Sequence, residues 1–360
     1  MQKKILLEKF GDFCRSLSGR DNIAIVYHND ADGISSAAVT AKAVFKLTQK
    51  KPVLVYGFNY RDSAKGKIIM KELSKKANKL IIVDLATGYY LEKLSEVNFM
   101  DAILIIDHHE FDSDLNSEKI VFVHPKFLSK KNPSSYNASK LCFDVFNGIL
   151  PLEETDWIAC IGIIGDNAKK HWLGFLKKTA KRNKATIGEI EELERLVSAV
   201  GVMRKDKFRE IFWVLFDAKK IQDCMKKEFL EIKQEFEVEK KRLEESAKAG
   251  IENFPELELE IYNIKTDFPT IKSQIVNEIS NKKPKKTIIV WSVSGNNARF
   301  SARRQDGKVQ VNRLLEKAIE GIPNSNAGGH IPAAAGGVPK EFLEKFMEQL
   351  FGELKKIYEK

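Results

Sequence analysis

The stretch IIDHHE, residues 105–110, sets one carboxylate and two imidazoles side by side at the end of an apolar run. The chain of 360 residues has six histidines, and two of them stand here, directly after Asp107. Other acids and imidazoles recur in similar positions: His28, Asp30 and Asp32 in HNDADG, Asp84 in VDLA, and Asp166 in IGIIGDNA. Carboxylates gathered at one edge repel one another, and a cation relieves that repulsion. Oxygen donors mixed with imidazole argue for Mn2+ or Mg2+ over a thiolate-type zinc site, Mn2+ being more comfortable with nitrogen. So many carboxylates exceed what one such ion takes from protein. They point to two ions, roughly 3.5 to 4 Å apart, the spacing that activates water and stabilises an in-line displacement at phosphorus. Taken alone, DADG also reads as an Asx-rich turn capping a helix, with Gly33 as the permissive residue of the turn.

The elements that must position these groups are legible as an alternation from residue 22 onward. Apolar runs NIAIVYH, PVLVYGF, KLIIVDLA and AILIIDHHE are separated by helical patterns at ISSAAVTAKAVFKL, SAKGKIIMKELSKKA and GYYLEKLSEV. Short strands apolar on both faces, with helices between, predict a parallel sheet covered on both sides. Ligand sites of open α/β sheets lie at the carboxyl ends of the strands, where these acids fall. KIVFVHP predicts one further strand, and NASKLCFDVFNGIL and ETDWIACIGIIGDNA two helices behind the site.

After about residue 180 the texture changes to charged helical spacing with few sheet formers, read as a solvated connector or a partner-binding coiled coil. Strand patterns return at LELEIYNI, TIIVWSVSG and NARFSARR, followed by a helix at VNRLLEKAIEG, with KKPKK at 282–286 in a turn. The expected fold is therefore α/β: an amino-terminal parallel-sheet domain at 1–185, a helical connector at 186–252, and a smaller carboxy-terminal α/β domain at 253–360. In the last of these, the glycines of AGGHIPAAAGG would expose backbone N–H groups to an anion, or form only a flexible loop. Arg303 and Ser301 nearby offer a planar fork and a neutral donor to a phosphate. Strand alternation puts Arg299, Ser301 and Arg303 on one face and Arg304 on the other, where it reads as a surface charge.

Lys and Arg total 60 against 50 Asp and Glu, a formal net charge of +10, which favours a polyanionic partner over a neutral metabolite. Four cysteines, Cys14, Cys142, Cys160 and Cys224, are too scattered for a zinc site or a compact disulfide framework, and read as reduced, buried and cytoplasmic. No apolar stretch approaches the roughly 20 residues of a membrane span, and the amino terminus is unlike a secretion signal. No membrane partner is expected.

HNDADG, VDLA, IIDHHE and IGIIGDNA, in that order and at these intervals, resemble the four motifs of the DHH phosphoesterase superfamily. NARFSARR followed by AGGHIPAAAGG resembles the module of the DHHA1 substrate-binding domain, which marks the subfamily of RecJ-like nucleases, nano-RNases and pAp phosphatases. The resemblance implies that Asp30, Asp32, Asp84, His108 and Asp166 are metal ligands, with Asp84 bridging two ions. It implies further that Asp107 orients His108 and that His109 faces the scissile phosphate, supplying a proton or hydrogen bond to the leaving oxygen. His28 stands where RecJ-like members carry an acid, and is expected to ligate or border the first metal; small-substrate members commonly have a histidine where this chain has Val26. Ser301, Arg303, Gly328, Gly329 and His330 would grip a phosphate of the substrate.

The activity so implied is Mn2+-dependent exonuclease action on single-stranded DNA or RNA, held between the two domains, with replication or repair proteins as further partners. Tyr60 and Phe300 are candidate stacking platforms for bases, with a core role as the alternative for each. His124 and His171 read as structural or surface residues. Alternatives are a phosphoesterase for nano-RNA, pAp or cyclic dinucleotides, and a silent replication scaffold, which would have no reason to keep the acidic cluster. An inorganic pyrophosphatase is disfavoured by the GGH module.

Overall fold

Five short apolar segments pair in parallel: β1 (Ile23–His28), β2 (Leu54–Phe58), β3 (Lys79–Val83), β4 (Ala102–Ile106) and β5 (Ile120–Val123), in the order β2-β1-β3-β4-β5. The computed structural model describes residues 3–58, 63–86, 97–129, 133–266, 268 and 271–358. The helix expected at GYYLEKLSEV lies almost wholly outside these residues, and so does Tyr60. Two compact units divide the chain between Lys233 and Gln234.

In the first unit, alternate residues of each strand go to opposite faces, as the pleat requires. Ile23, Ile25, Tyr27, Ile81, Val83, Leu104 and Ile106 join one core, while Ala24, Val26, Leu80, Ile82, Ile103 and Ile105 join another. The second core is closed in part by Ile69 and Leu73 of α3 (Ser63–Lys76). The first receives α1 (Lys3–Ser16), α2 (Ala31–Thr48), α4 (Ala138–Asn147) and α5 (Asp156–Gly165). The opening of α2 is mostly small residues, and the helix is buried over most of its length. Gly162 and Gly165 of α5 let it lie close: a Cβ at Gly165 would stand 2.6 Å from the Cβ of Ala31.

The stretch expected as a solvated connector divides in two. Its first part forms α7 (Ile187–Met203) and α8 (Phe208–Asp217), after α6 (Leu173–Arg182), and these add Leu193, Leu196, Val197, Phe208, Ile211, Phe212 and Leu215 to the first unit's core. The charged helix α9 (Lys227–Ala249) contains the division, and its Phe229 and Ile232 still belong to that core. The apolar face at 3.6-residue spacing outweighed the charge between those positions.

The second unit is a six-stranded mixed sheet of β6 (Ile251–Phe254), β7 (Leu259–Asn263), β8 (Thr287–Ser294), β9 (Asn297–Arg303), β10 (Asn326–His330) and β11 (Ala333–Pro339), ordered β10-β11-β9-β8-β7-β6. Only the β7–β8 pair is parallel. One face carries Leu259, Ile261, Ala298, Phe300 and Ala302 against α11 (Val311–Ala318) and α12 (Leu343–Tyr358). Phe300 is a core residue, its ring stacked on Phe346 at 4.2 Å between centroids. The turn expected at KKPKK is present, between α10 (Ile271–Lys282) and β8.

Two expectations are corrected here. AGGHIPAAAGG is not a flexible loop but the antiparallel pair β10–β11, laid on β9. Arg304 is not a surface charge: its side chain is fully buried, donating to Glu258 and Asp306 at 2.6 Å each. Leaving the strand, it turns into the unit, where two carboxylates compensate its charge.

Candidate metal centre

The acids and imidazoles of the first unit meet where β1, β3 and β4 end. β1 and β3 are neighbours in the sheet although β2 intervenes in the chain, so the strand order reverses beside them, the usual place for a ligand crevice. His28 is the last residue of β1, and Asp30 is the N-cap of α2, accepting the Gly33 N–H at 2.9 Å. Gly33 is helical, without a positive φ, so permissive turn geometry is not its reason. Space is: a Cβ there would stand 2.1 Å from the His28 carbonyl oxygen. This approach brings His28 Nδ1 to 2.7 Å from Asp30 Oδ2.

Asp32, in the first turn of α2, is buried and held by the start of α4. Its Oδ1 accepts from Asn137 Nδ2 at 2.6 Å and from the Ser139 N–H at 2.9 Å, and its Oδ2 from the Ala138 N–H at 2.7 Å. Sequence reasoning missed these partners. Asp84 follows β3 with φ +55°, a left-handed conformation costly for a residue with a Cβ, though asparagine and aspartate accept it best. Its N–H bonds the Ile106 carbonyl, which fixes the turn.

His108 lies amid three carboxylates. Its Nε2 is 3.3 Å from Asp84 Oδ1, 3.4 Å from Asp166 Oδ2 and 3.8 Å from Asp32 Oδ2. Asp166 comes from the carboxyl end of α5, so four separate segments converge. Asp107 differs from expectation. Its Oδ1 is 2.8 Å from His109 Nδ1, and accepts the backbone N–H of His108 at 2.7 Å and of His109 at 3.3 Å. The carboxylate therefore orients the His109 ring, while His108 receives its grip through the main chain. Placed after β4 in line with the strand, Asp107 reaches the ring of residue i+2.

The electrostatics follow from this crowding. Burial, then the charge of Asp30, pushes the Asp32 carboxyl up to about 6. Burial raises Asp84 well above the carboxylate range, and Asp32, Asp30, Asp166 and Asp107 add to it. Asp107 goes the other way: burial opposes ionisation, but the His109 imidazole outweighs it and holds the carboxyl low. His109 is raised against the effect of its burial by the same Asp107 charge.

The donor set fits divalent cations. Within the first unit, His28, Asp30 and Asp84 offer ligand atoms within 4.8 Å of one another, as do Asp32, Asp84 and His108, and Asp84, Asp107 and His109. Asp84 is common to all three. Among the described residues no hydrogen-bond donor meets its buried Oδ1, an arrangement that costs free energy until a cation meets it.

In the second unit the register aligns the expected phosphate-binding residues. Ala335 of β11 pairs with both Ser301 and Gly328, and Ala333 with both Arg303 and His330. Ser301 and Arg303 thus stand two apart on the face opposite Phe300. Ser301 is buried, whereas Arg303, Gly328, Gly329 and His330 are half-buried. Arg303 Nε donates to Asn277 Oδ1 of α10 at 2.6 Å. Gly329 has φ +139°, and a Cβ there would meet the Ala333 carbonyl oxygen at 2.4 Å, so only glycine fits.

The sequence matches the DHH family, N-terminal domain, over residues 22–160 and the DHHA1 domain over residues 266–356, together well over half the chain. The chain belongs to the DHH phosphoesterase family. The DHH match stops short of Asp166, which geometry brings to the cluster. Solved structures similar to this DHH protein include a DHH-domain protein described as a member of the s1p family of ribosomal proteins, with TM-score 0.77, 16% identity, and coverage of 98% of this chain and 91% of that one. RecJ from Thermus thermophilus in complex with Mn2+ has TM-score 0.70 and 14% identity, covering 98% of this chain and 55% of RecJ, so the chain spans about half of that protein. A pGpG-specific phosphodiesterase from Vibrio cholerae has TM-score 0.51 and 14% identity, covering 93% and 99%. At these identities the likeness is one of fold. No curated protein matches significantly. Among the described residues of the DHH protein no helix is long and apolar enough to cross a membrane.

Proposed function

We propose that this protein hydrolyses phosphodiesters of single-stranded DNA or RNA from an end, as a RecJ-like exonuclease using two Mn2+ ions, with Mg2+ as substitute. The observation that carries the reading is the convergence of Asp32, Asp84 and Asp166 within 3.8 Å of His108 Nε2, beside the His109–Asp107 pair. We assign Asp30, Asp32, Asp84, His108 and Asp166 as ligands, Asp84 shared, with His28 beside the first ion. Bound there, the ions would activate water and neutralise charge on the phosphoryl oxygens.

The chain's own residues do the rest. Asp107 accepts from His109 Nδ1 and favours the protonated imidazolium, so that Nε2–H is the group that meets the leaving oxygen, as acid or hydrogen-bond donor. The buried Asp107 carboxylate holds the half-buried His109 ring in one geometry. Ser301, Arg303, Gly328, Gly329 and His330 would bind a substrate phosphate, Arg303 supplying charge and the glycines close backbone approach. The net charge of +10 supports a polymeric anion as substrate, with replication or repair proteins as its setting. Four buried free cysteines support a reducing cytoplasm.

A second reading, favoured by the likeness to the pGpG-specific phosphodiesterase, is cleavage of dinucleotides or similarly short substrates. One experiment separates the two: digestion of end-labelled DNA and RNA of graded length with Mn2+, beside Asp84→Asn. Progressive shortening of long strands supports the exonuclease. Turnover confined to dinucleotides supports the second reading, and an active Asp84→Asn protein refutes both.

A further inference from the structure

His124 follows β5 and is fully buried. Its Nδ1 accepts the backbone N–H of Lys126 at 3.1 Å, capping the short turn of helix at Pro125–Leu128. A neutral imidazole that accepts at Nδ1 carries its proton on Nε2. That Nε2 lies 2.9 Å from the carbonyl oxygen of His109, so it donates into the backbone of the residue whose ring is paired with Asp107. Phe111, Phe122 and Phe127 surround the ring, with centroids 4.7, 5.7 and 6.2 Å away. This apolar box disfavours the imidazolium, and the two hydrogen bonds use one acceptor and one donor, the complement of a neutral ring.

Capping alone does not account for a histidine here, since asparagine, aspartate, serine or threonine would serve the Lys126 N–H as well. What imidazole adds is a second, longer arm that reaches the adjacent strand end. His109 is consequently held from two sides, its ring and N–H by Asp107 and its carbonyl by His124.

We propose that His124 is a positioning residue for His109, fixing the backbone from which that imidazole projects toward the scissile ester. The proposal rests on the reading of His109 as the group that meets the leaving oxygen. Two substitutions separate the arms. His124→Asn keeps a cap acceptor but cannot reach His109; His124→Gln places an amide donor near the Nε2 position. With end-labelled single strands and Mn2+, His124→Asn is expected to lower kcat roughly ten-fold, the scale of losing a partner that orients a site residue. KM should not change, and His124→Gln should restore most of kcat. NMR of the His109 ring gives a readout independent of turnover: its resonances should shift in His124→Asn and return in His124→Gln. Wild-type kcat in His124→Asn, or an equal loss in both variants, overturns the proposal. Should His109→Ala prove fully active, the reading of the site fails, while the ring resonances still decide whether His124 positions His109.

Discussion

Gly162 lies against the carboxylate of Asp32: a Cβ at residue 162 would stand 2.2 Å from Asp32 Oδ1 and 2.2 Å from Ser139 Oγ. Both are buried and hydrogen-bonded, so neither can swing away cheaply. Gly162→Ala is expected to destabilise the protein by about 1–3 kcal/mol, the usual cost of forcing an extra methyl into a packed core. It should also weaken the stabilisation by Mn2+, because Asp32 is displaced. Urea titrations with and without Mn2+ measure both effects, and wild-type behaviour in each would remove Gly162 from the support of the cluster.

Asp84 is the carboxylate common to every first-unit ligand grouping, and its left-handed backbone suits asparagine as well as aspartate. Asp84→Asn should therefore fold. In EDTA it should melt above wild type, since one of the mutually repelling charges is gone; in Mn2+ it should lose most of the melting shift that ligand binding gives wild type. A full Mn2+ shift in the variant would contradict the shared role of Asp84.

The metal-free protein should respond to pH in a definite direction. Asp32 is raised from 3.8 to about 6, and Asp84 is raised as well, so between those values the folded state holds protons that the unfolded chain has released. Their contribution to stability is fully present below the unfolded value and is lost as pH rises through the folded one. Asp107 acts oppositely, its contribution being lost as pH falls below the ordinary carboxylate range. Melting curves of metal-free wild type and Asp32→Asn should diverge between about pH 4 and 6, wild type losing stability relative to the variant. No divergence would mean that Asp32 is ionised without cost, and divergence of the opposite sign that the fold favours its ionised form; either outcome contradicts the crowding.

Arg303→Ala should raise the substrate concentration needed for half-maximal rate by about ten-fold, as expected for one lost charge-assisted phosphate contact. Its kcat should change little. An unaltered requirement would take Arg303 out of substrate binding and leave it as the partner of Asn277.

The strands of the first sheet were legible because each is a short, largely apolar run; four of the five, all but β2, end at an acid or an imidazole, and the order of those ends carries the family resemblance. The supports were not. Asn137, Ala138 and Ser139 hold Asp32 across 105 to 107 residues through bonds that neutral side chains and main chain make without any signature in composition. Arg304 looked like a solvent charge because its partner Glu258 stands 46 residues earlier and is found only once β7 and β9 are in one unit. The glycine and alanine run of β10 and β11 has little intrinsic strand preference, and pairing with β9 overrides it. His124 gave no signal beyond its type, since what distinguishes it is a bond to a backbone carbonyl.

The cluster is assembled from residues 28–32, 84, 107–109 and 166, pieces that no local hairpin or helix pair brings together. Closing loops of that length precedes any reward from the contacts they make, so such an arrangement completes slowly and late. During refolding from urea, Mn2+ binding should therefore lag behind the recovery of helical signal, making the ion a reporter of the last step of chain assembly.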